Sequence, residues 1–271
     1  MNSSFDGQAK DFDQRTGLPD AACPPIAEAV LQSVEEFGQS EINMIELGAG
    51  TGQIGQHFHR DRVRYTGLDN SIEMLEIFRS RKIEESNANK FKLVHADANH
   101  QWPVDSNSIN LVLSSRAVHL FDTQHVCEEL NRVASSAGLV FAVGRRKREK
   151  NSIPSVMRTQ MRHLLSEHGI EGRNGQNHMM KLAELMKQIT TVDELDSKTV
   201  SHWSTSRSPH ESIQAWQKKD GLAGLQIEEK TKKSVLTKLE NWAAEHFDDV
   251  MAKSVVNESY VLDLFRIMPK F

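Results

Sequence analysis

Three glycines fall at every second position directly after an acid in Glu46-Leu47-Gly48-Ala49-Gly50-Thr51-Gly52, a spacing that suits a loop around a nucleotide-bearing cofactor. Such glycines let the backbone turn tightly with positive φ. They also let a bulky ligand approach main-chain N–H groups that a Cβ would block. The apolar residues before Glu46 read as a strand, and Thr51–Phe58 reads as a helix whose positive N-terminal end faces the ligand. Two registers compete. Gly50-Thr51-Gly52-Gln53-Ile54-Gly55 satisfies the pattern G-x-G-x-x-G, which would serve a nicotinamide dinucleotide. That register leaves Gly48 and the Glu46 carboxylate in or just beyond a strand that ought to be buried and apolar. If the turn starts at Gly48 instead, Glu46 sits at the mouth of the site, where it suits a ligand with cationic groups. S-adenosylmethionine, with its ammonium and sulfonium centres, is such a ligand. Asp69 closes a second predicted strand, Val63–Leu68, and would accept ribose hydroxyls in either register.

Four separated segments, in order, resemble the class I S-adenosylmethionine-dependent methyltransferases, especially their UbiE-like and small-molecule branch. They are Glu46–Gly52, Gly67-Leu68-Asp69-Asn70-Ser71-Ile72-Glu73-Met74-Leu75, Val94-His95-Ala96-Asp97-Ala98, and Ile109-Asn110-Leu111-Val112-Leu113-Ser114-Ser115-Arg116-Ala117-Val118-His119. The resemblance implies that Glu46, Gly48, Ala49, Gly50 and Gly52 shape the methionyl pocket. Asp69 would bind ribose, with Asn70 and Met74 alongside, and Asp97 and Ala98 would flank adenine. Ser114 and Ser115 would lie beneath the methionyl portion. The leading segment, Phe5 to Arg15, echoes a family helix that folds over the cofactor: Phe12 would close the site against water and touch the acceptor, and Arg15 would hold the methionyl carboxylate. A packing stripe made by Phe5 and Phe12, seven residues apart, is the alternative. The family's Phe-Asp pair opening the fourth strand is here Ile109-Asn110, and its Pro-Gly-Gly turn before the fifth is reduced to Ala137-Gly138.

Methyl transfer from a sulfonium is an in-line displacement, so the protein must align donor and acceptor and exclude water. A base is needed only when the nucleophile loses a proton as it attacks. His119, following the fourth strand at the carboxyl edge of the sheet, is the candidate, and it would also face the acceptor. A rim histidine that only packs near the cofactor is the competing role. His57, His59, His163 and His168 have no metal-site spacing, so no metal is expected. Arg145-Arg146-Lys147-Arg148 leaves the fifth strand at the same edge. Such a run is a solvated face or, through Arg145, a lure for an anionic acceptor: a carboxylated metabolite, the phosphopantetheine of a carrier protein, or RNA phosphate. A non-catalytic cofactor-binding scaffold and an RNA methyltransferase are the alternative functions.

Strands and helices alternate along the chain, which predicts an α/β fold: a seven-stranded, doubly wound, mostly parallel Rossmann-like sheet with helical cap insertions. Expected strands are Asn43–Leu47, Val63–Leu68, Lys92–His95, Ile109–Ser114 and Leu139–Gly144, with two more near Lys198–Ser204 and Tyr260–Met268. Residues 1–40 would be cofactor-covering helices and 41–146 the cofactor-binding core. Residues 147–192 would be a helical lid, with helices over Val156–Glu167 and Met179–Gln188. Residues 193–271 would complete the core, with an inserted helical pair, Pro209–Lys219 and Lys230–His246, whose Trp216 and Trp242 are expected to pack in the core, one of them lining an acceptor pocket being the alternative.

A chain of 271 residues can hold this as one catalytic domain. Its formal charge of −4 gives no drive toward nucleic acid or anionic membranes. Two cysteines, Cys23 and Cys127, argue against a disulfide scaffold. With neither a signal-peptide pattern at Met1–Asp6 nor an apolar run of spanning length, a cytoplasmic protein is expected. Oligomeric state has no signature.

Overall fold

The computed structural model describes residues 9, 12–13, 18–81, 90–171, 175–219 and 221–270. Arg15 and Phe5 lie outside the described residues. The chain divides into two compact units.

The first unit holds Met1–Arg146, Gln176–Ser201 and Tyr260–Phe271. Its strands are β1 (Ile42–Leu47), β2 (Val63–Asp69), β3 (Phe91–His95), β4 (Leu111–Ser115), β5 (Leu139–Arg148), β6 (Thr191–Glu194), β7 (Lys198–Arg207) and β8 (Ser254–Met268), the ends of β5, β7 and β8 running on into the second unit. The sheet order is β3-β2-β1-β4-β5-β8-β6, with β7 also paired to β8. β1 pairs parallel with both β2 and β4, which places the switch point of a doubly wound sheet between β1 and β4. β2–β3 and β4–β5 are also parallel, and β6–β8 is antiparallel.

The alternation of side chains along a strand gives each face its own partners. Ile45, Leu47, Val112, Phe141 and Val143 enter one apolar cluster with Val126, Leu130 and Val133 of α3 (Thr123–Val133) and Leu182 and Met186 of α5 (Gly175–Ile189). On β2 the Tyr65 ring stacks on Phe91 and Phe58 and meets the edge of Phe78 from α2 (Ile72–Ser80). In α1 (Cys23–Glu35), a proline sits in the first turn, where its missing N–H costs nothing, and Ile26, Ala27, Val30, Leu31 and Val34 form the buried stripe. Asn110 ties the starts of β1 and β4 together. Its Oδ1 accepts the Asn43 N–H at 2.9 Å while its amide donates to Gln39 Oε1 and the Glu41 carbonyl. An aspartate could accept but not donate there.

The second unit holds Lys147–Gly175 and His202–Ser259. Here α4 (Ile153–Ser166), α6 (Pro209–Gln217) and α7 (Glu229–His246) pack through Met157, Met161, Leu165, Ile213, Val235 and Leu239. Trp216 and Trp242 pack against this cluster, as expected. Ser208 and Glu211 form a reciprocal capping box on α6, and the buried Lys232 ammonium donates to the Gln217 and Lys219 carbonyls at its far end.

Several expectations are corrected. The described residues form an eighth strand: β6 is four residues long, mostly polar and directly behind α5, and its edge pairing with β8 overrides a weak local signal. β8 begins at Ser254, six residues before the expected Tyr260, because the polar stretch Ser254–Ser259 carries no alternation that marks a strand. The stretch 147–192 is not one insertion: α4 belongs to the second unit, whereas α5 packs on the sheet of the first. Thr51–Phe58 is not an α-helix. A series of turns precedes a single 3-10 turn over Gly55–Phe58, since positive φ at Gly52 breaks helical continuity. Any ligand at this loop therefore meets individual backbone amides and no helix dipole.

Candidate active site

Because β1 to β5 run parallel, Gly48–Gly52, Asp69 and Asn70, Asp97 and Ala98, and Ser114 and Ser115 all come to the carboxyl edge of one sheet, with His119 on a short turn just beyond β4 and Arg145 on the outgoing part of β5. Gly48, Gly50 and Gly52 have φ of 72°, 56° and 74°. A Cβ on Gly52 would collide with the Phe78 ring, and one on Gly48 would come within 2.6 Å of the Ala117 Cβ. Gly50 differs from both: nothing lies within 4 Å of the position its Cβ would take. The loop is packed beneath and open at its crown.

Asp69 braces that crown. Its two carboxylate oxygens accept the Gly50 N–H at 2.8 Å and the Ser71 N–H at 2.9 Å, while the Ala49 N–H reaches the Leu68 carbonyl. Each carboxylate oxygen can accept more than one bond, so these contacts leave capacity for ribose hydroxyls. Met74 is buried, and its N–H is capped by the Ser71 hydroxyl at 3.3 Å. The Asn70 carbonyl contacts His95 Nε2.

Glu46 is not at the mouth of the site. Its side chain points from β1 under the loop, where it is 2% exposed and accepts the Tyr65 hydroxyl at 2.5 Å. Burial pushes its carboxyl up to about 8, partly opposed by the Tyr65 bond and reinforced by the Asp69 charge. Gly55 leaves the room this carboxylate occupies. The strand's pleat is the reason: Glu46 shares the face of Tyr65, and the turn starts two residues later.

Asp97 accepts the Asn99 N–H and side-chain amide, both at 2.9 Å, and forms the turn that follows β3. Ala98 is buried in the apolar cluster, and its carbonyl accepts the Trp102 indole. Ser114 and Ser115 face opposite sides of β4. The Ser114 hydroxyl is fully buried and has no hydrogen-bond partner among the described residues. Ser115 Oγ lies 2.5 Å from the Tyr260 hydroxyl. His119 is exposed on the turn Val118–Leu120. Arg145 forms a two-point pair with Asp263 at 2.6 and 3.2 Å, and Arg148 pairs with the buried Glu258 at 2.8 Å. The basic run is thus substantially neutralised from β8, which counts against Arg145 as an anion lure.

Sequence reading missed several residues of this edge. Thr51 Oγ1 donates to Asp13 Oδ1 at 2.5 Å, and Arg81 reaches both the other Asp13 oxygen and the Thr51 carbonyl. Gln53 holds the Leu18 carbonyl and Asp20. These bonds fasten the N-terminal segment to the glycine loop, and no local pattern announces pairs separated by 30 to 68 positions. Phe12, one residue before Asp13, is half-buried in the same segment. His178 on α5 bonds the Val118 carbonyl, and burial lowers its proton affinity. Among the described residues no three or more His, Cys, Asp or Glu are grouped to hold a metal.

This architecture, a doubly wound sheet with its glycine loop at the switch point, is the class I methyltransferase fold. Solved structures agree. The YcgJ protein of Bacillus subtilis has 16% identity and a TM-score of 0.52 over 90% of this chain and 99% of its own. A protein assigned as a type II methyltransferase from Anaeromyxobacter dehalogenans has 14% identity and a TM-score of 0.56, over 89% and 97%. The [4+2]-cyclase SpnF shares the fold at 14% identity and a TM-score of 0.51, over 91% and 82%. No relative among curated proteins matches the chain. Residues 45–142 match the methyltransferase domain family model, and these are the residues that build the loop, β2, β3 and β4. Residues 45–142 thus carry a methyltransferase domain, and the sheet around them has the fold of the class I S-adenosylmethionine-dependent methyltransferases.

Proposed function

We propose that the protein methylates a small-molecule or carrier-tethered acceptor, with the cofactor lying over β1 to β3 and the acceptor over β4 and β5. The observation that carries this is the open crown at Gly50, braced by Asp69. These groups fit S-adenosylmethionine. The loop amides would meet the methionyl portion, Asp69 the ribose and the turn at Asp97 and Ala98 the adenine, while Ser114 offers a hydroxyl to the ligand. When bound, the cofactor supplies an electrophilic methyl group; the protein supplies orientation and exclusion of water.

His119 stands at the acceptor side in this reading, exposed enough to pass a proton to solvent. The N-terminal segment held by Asp13 would shield the site, with Phe12 facing inward. Calorimetric titration with S-adenosylhomocysteine and, separately, with a nicotinamide dinucleotide tests the cofactor assignment. Micromolar binding of the former alone is expected, and binding of the dinucleotide instead would favour the competing register, Gly50 to Gly55. His119→Ala should lower turnover of a proton-losing acceptor at least ten-fold with unchanged S-adenosylhomocysteine affinity. A wild-type rate would retire it as the base.

A further inference from the structure

The turn that follows β3 is held at both ends by α3. At its far end the buried Trp102 donates its main-chain N–H to Glu129 Oε2 at 2.7 Å and its indole N–H to the Ala98 carbonyl at 3.1 Å, while Arg132 holds both Glu129 oxygens and the Trp102 carbonyl. At its near end one side chain makes the connection. Asn99 Nδ2 donates to Asp97 Oδ1 at 2.9 Å, and Asn99 Oδ1 accepts the Asp122 N–H at 2.7 Å. The Asn99 N–H donates to the same Asp97 oxygen at 2.9 Å, and the His100 N–H closes the turn on the Asp97 carbonyl at 2.9 Å. Asp122 is the N-cap of α3, where its carboxylate accepts the His125 N–H, and it stands two residues beyond the turn that carries His119.

The orientation of the Asn99 amide is forced by its neighbours. A main-chain N–H on one side needs an oxygen, and a carboxylate on the other needs a donor. Aspartate, of the same size, would accept from Asp122 but set a second carboxylate against Asp97; leucine would do neither. Two donors converge on Oδ1 of the half-buried Asp97, so its carboxyl plane is fixed. The other oxygen, 3.7 Å from His100 Nδ1, is fixed in direction with it. An ionised carboxylate only accepts hydrogen bonds. Held in one direction, it favours a ligand edge that presents an N–H, such as the 6-amino group of adenine, over one that presents a carbonyl oxygen, as hypoxanthine does. A carboxylate able to turn would lose part of that preference, because ordering it would cost binding energy.

We propose that Asn99 is a positioning residue that fixes the Asp97 carboxylate against the N-cap of α3, so that the site selects a 6-amino purine over a 6-oxo purine. The inference rests on the placement of the cofactor's adenine at the turn of Asp97 and Ala98.

Calorimetry on the full chain compares S-adenosylhomocysteine with S-inosylhomocysteine, which carries a 6-oxo group in place of the amine. The proteins are wild type, Asn99→Asp, Asn99→Ala, Asp97→Ala and the double variant Asp97→Ala with Asn99→Ala. Wild type should bind the adenosyl ligand about ten-fold or more tightly than the inosyl one. Both Asn99 variants should bring that ratio to within about three-fold, by weakening the adenosyl ligand and leaving the inosyl ligand nearly unchanged. Asn99→Asp keeps the bond from Asp122, so it serves if Asn99→Ala does not fold. Asp97→Ala should narrow the ratio as far, and adding Asn99→Ala should change it no further, because Asn99 acts through Asp97. A purely structural role would weaken both ligands together and add to the loss from Asp97→Ala. Either result overturns the proposal, as does a wild-type ratio in the Asn99 variants. If Asp97→Ala narrows the ratio and the Asn99 variants do not, the adenine placement stands and only the role of Asn99 falls. If wild type does not discriminate, or Asp97→Ala keeps the wild-type ratio, the adenine placement itself falls. Failure to bind S-adenosylhomocysteine at all would strike the methyltransferase reading.

Discussion

Glu46 illustrates how a residue can be correctly singled out and wrongly placed. Its spacing to the glycines marks the loop, yet its carboxylate turns under that loop to Tyr65, in a site that favours the neutral acid. A carboxyl whose folded value lies near 8, against an ordinary value of 4.5, contributes stability that is whole below about 4.5 and is lost as pH rises through 8. Glu46→Gln keeps an acceptor for Tyr65 and removes that loss. In the ligand-free protein the melting temperature of Glu46→Gln relative to wild type should rise between pH 5 and pH 8.5, by at least about 3 °C. A difference independent of pH would show that Glu46 is ionised throughout. Asp69, by contrast, is held by two main-chain donors, the N–H groups of Gly50 and Ser71. Asp69→Ala should weaken S-adenosylhomocysteine binding about ten-fold or more, through the lost ribose bonds and the released Gly50 amide. Unchanged affinity in calorimetry would remove it from the site.

At the scale of elements, the glycine loop is defined by what packs beneath it. Gly52 combines φ of 74° with van der Waals contact against the Phe78 ring of α2. Gly52→Ala must displace the ring and strain the backbone, so urea unfolding should report a loss of about 2–4 kcal/mol. Gly50→Ala, with the same sign of φ but open space around it, should lose only about 1–2 kcal/mol. Equal losses would mean that the loop repacks freely around α2. The same comparison explains why the helix expected at Thr51–Phe58 fails: the residues that let the chain turn over a ligand are those that deny it continuous helical dihedrals.

For the molecule as a whole, the two units are built on different local rules. The first buries alternating strands between helices; the second is closed by α4, α6 and α7. Both cysteines belong to the first, Cys23 opening α1 and Cys127 within α3, and burial pushes each thiol up to about 12. Neither should react with a disulfide-exchange reagent at pH 8 in the native protein, and both should react once the protein is unfolded. Rapid native labelling of Cys23 would mean that the N-terminal segment fastened by Asp13 and Gln53 opens readily, and with it the cover over the glycine loop.

The chain's residue order was enough to reveal the strand-loop-strand pattern around Gly48–Gly52, because period-two apolar runs, glycines at fixed offsets and an acid closing the next strand are local features that leave local marks. It also marked α4 to α7 to within a few residues, since amphipathic periodicity is written in consecutive positions. Only the tertiary structure decided that Glu46 faces Tyr65, that Arg145 is spent on Asp263, that α5 covers the sheet instead of joining α4, and that Asp13, Thr51 and Arg81 meet. Each depends on a partner distant in sequence, from 19 positions for Glu46 and Tyr65 to 118 for Arg145 and Asp263, chosen by sheet order and strand pleat. Those choices belong to the packed chain, where one face of β4 presents Ser115 to Tyr260 and the other buries Ser114.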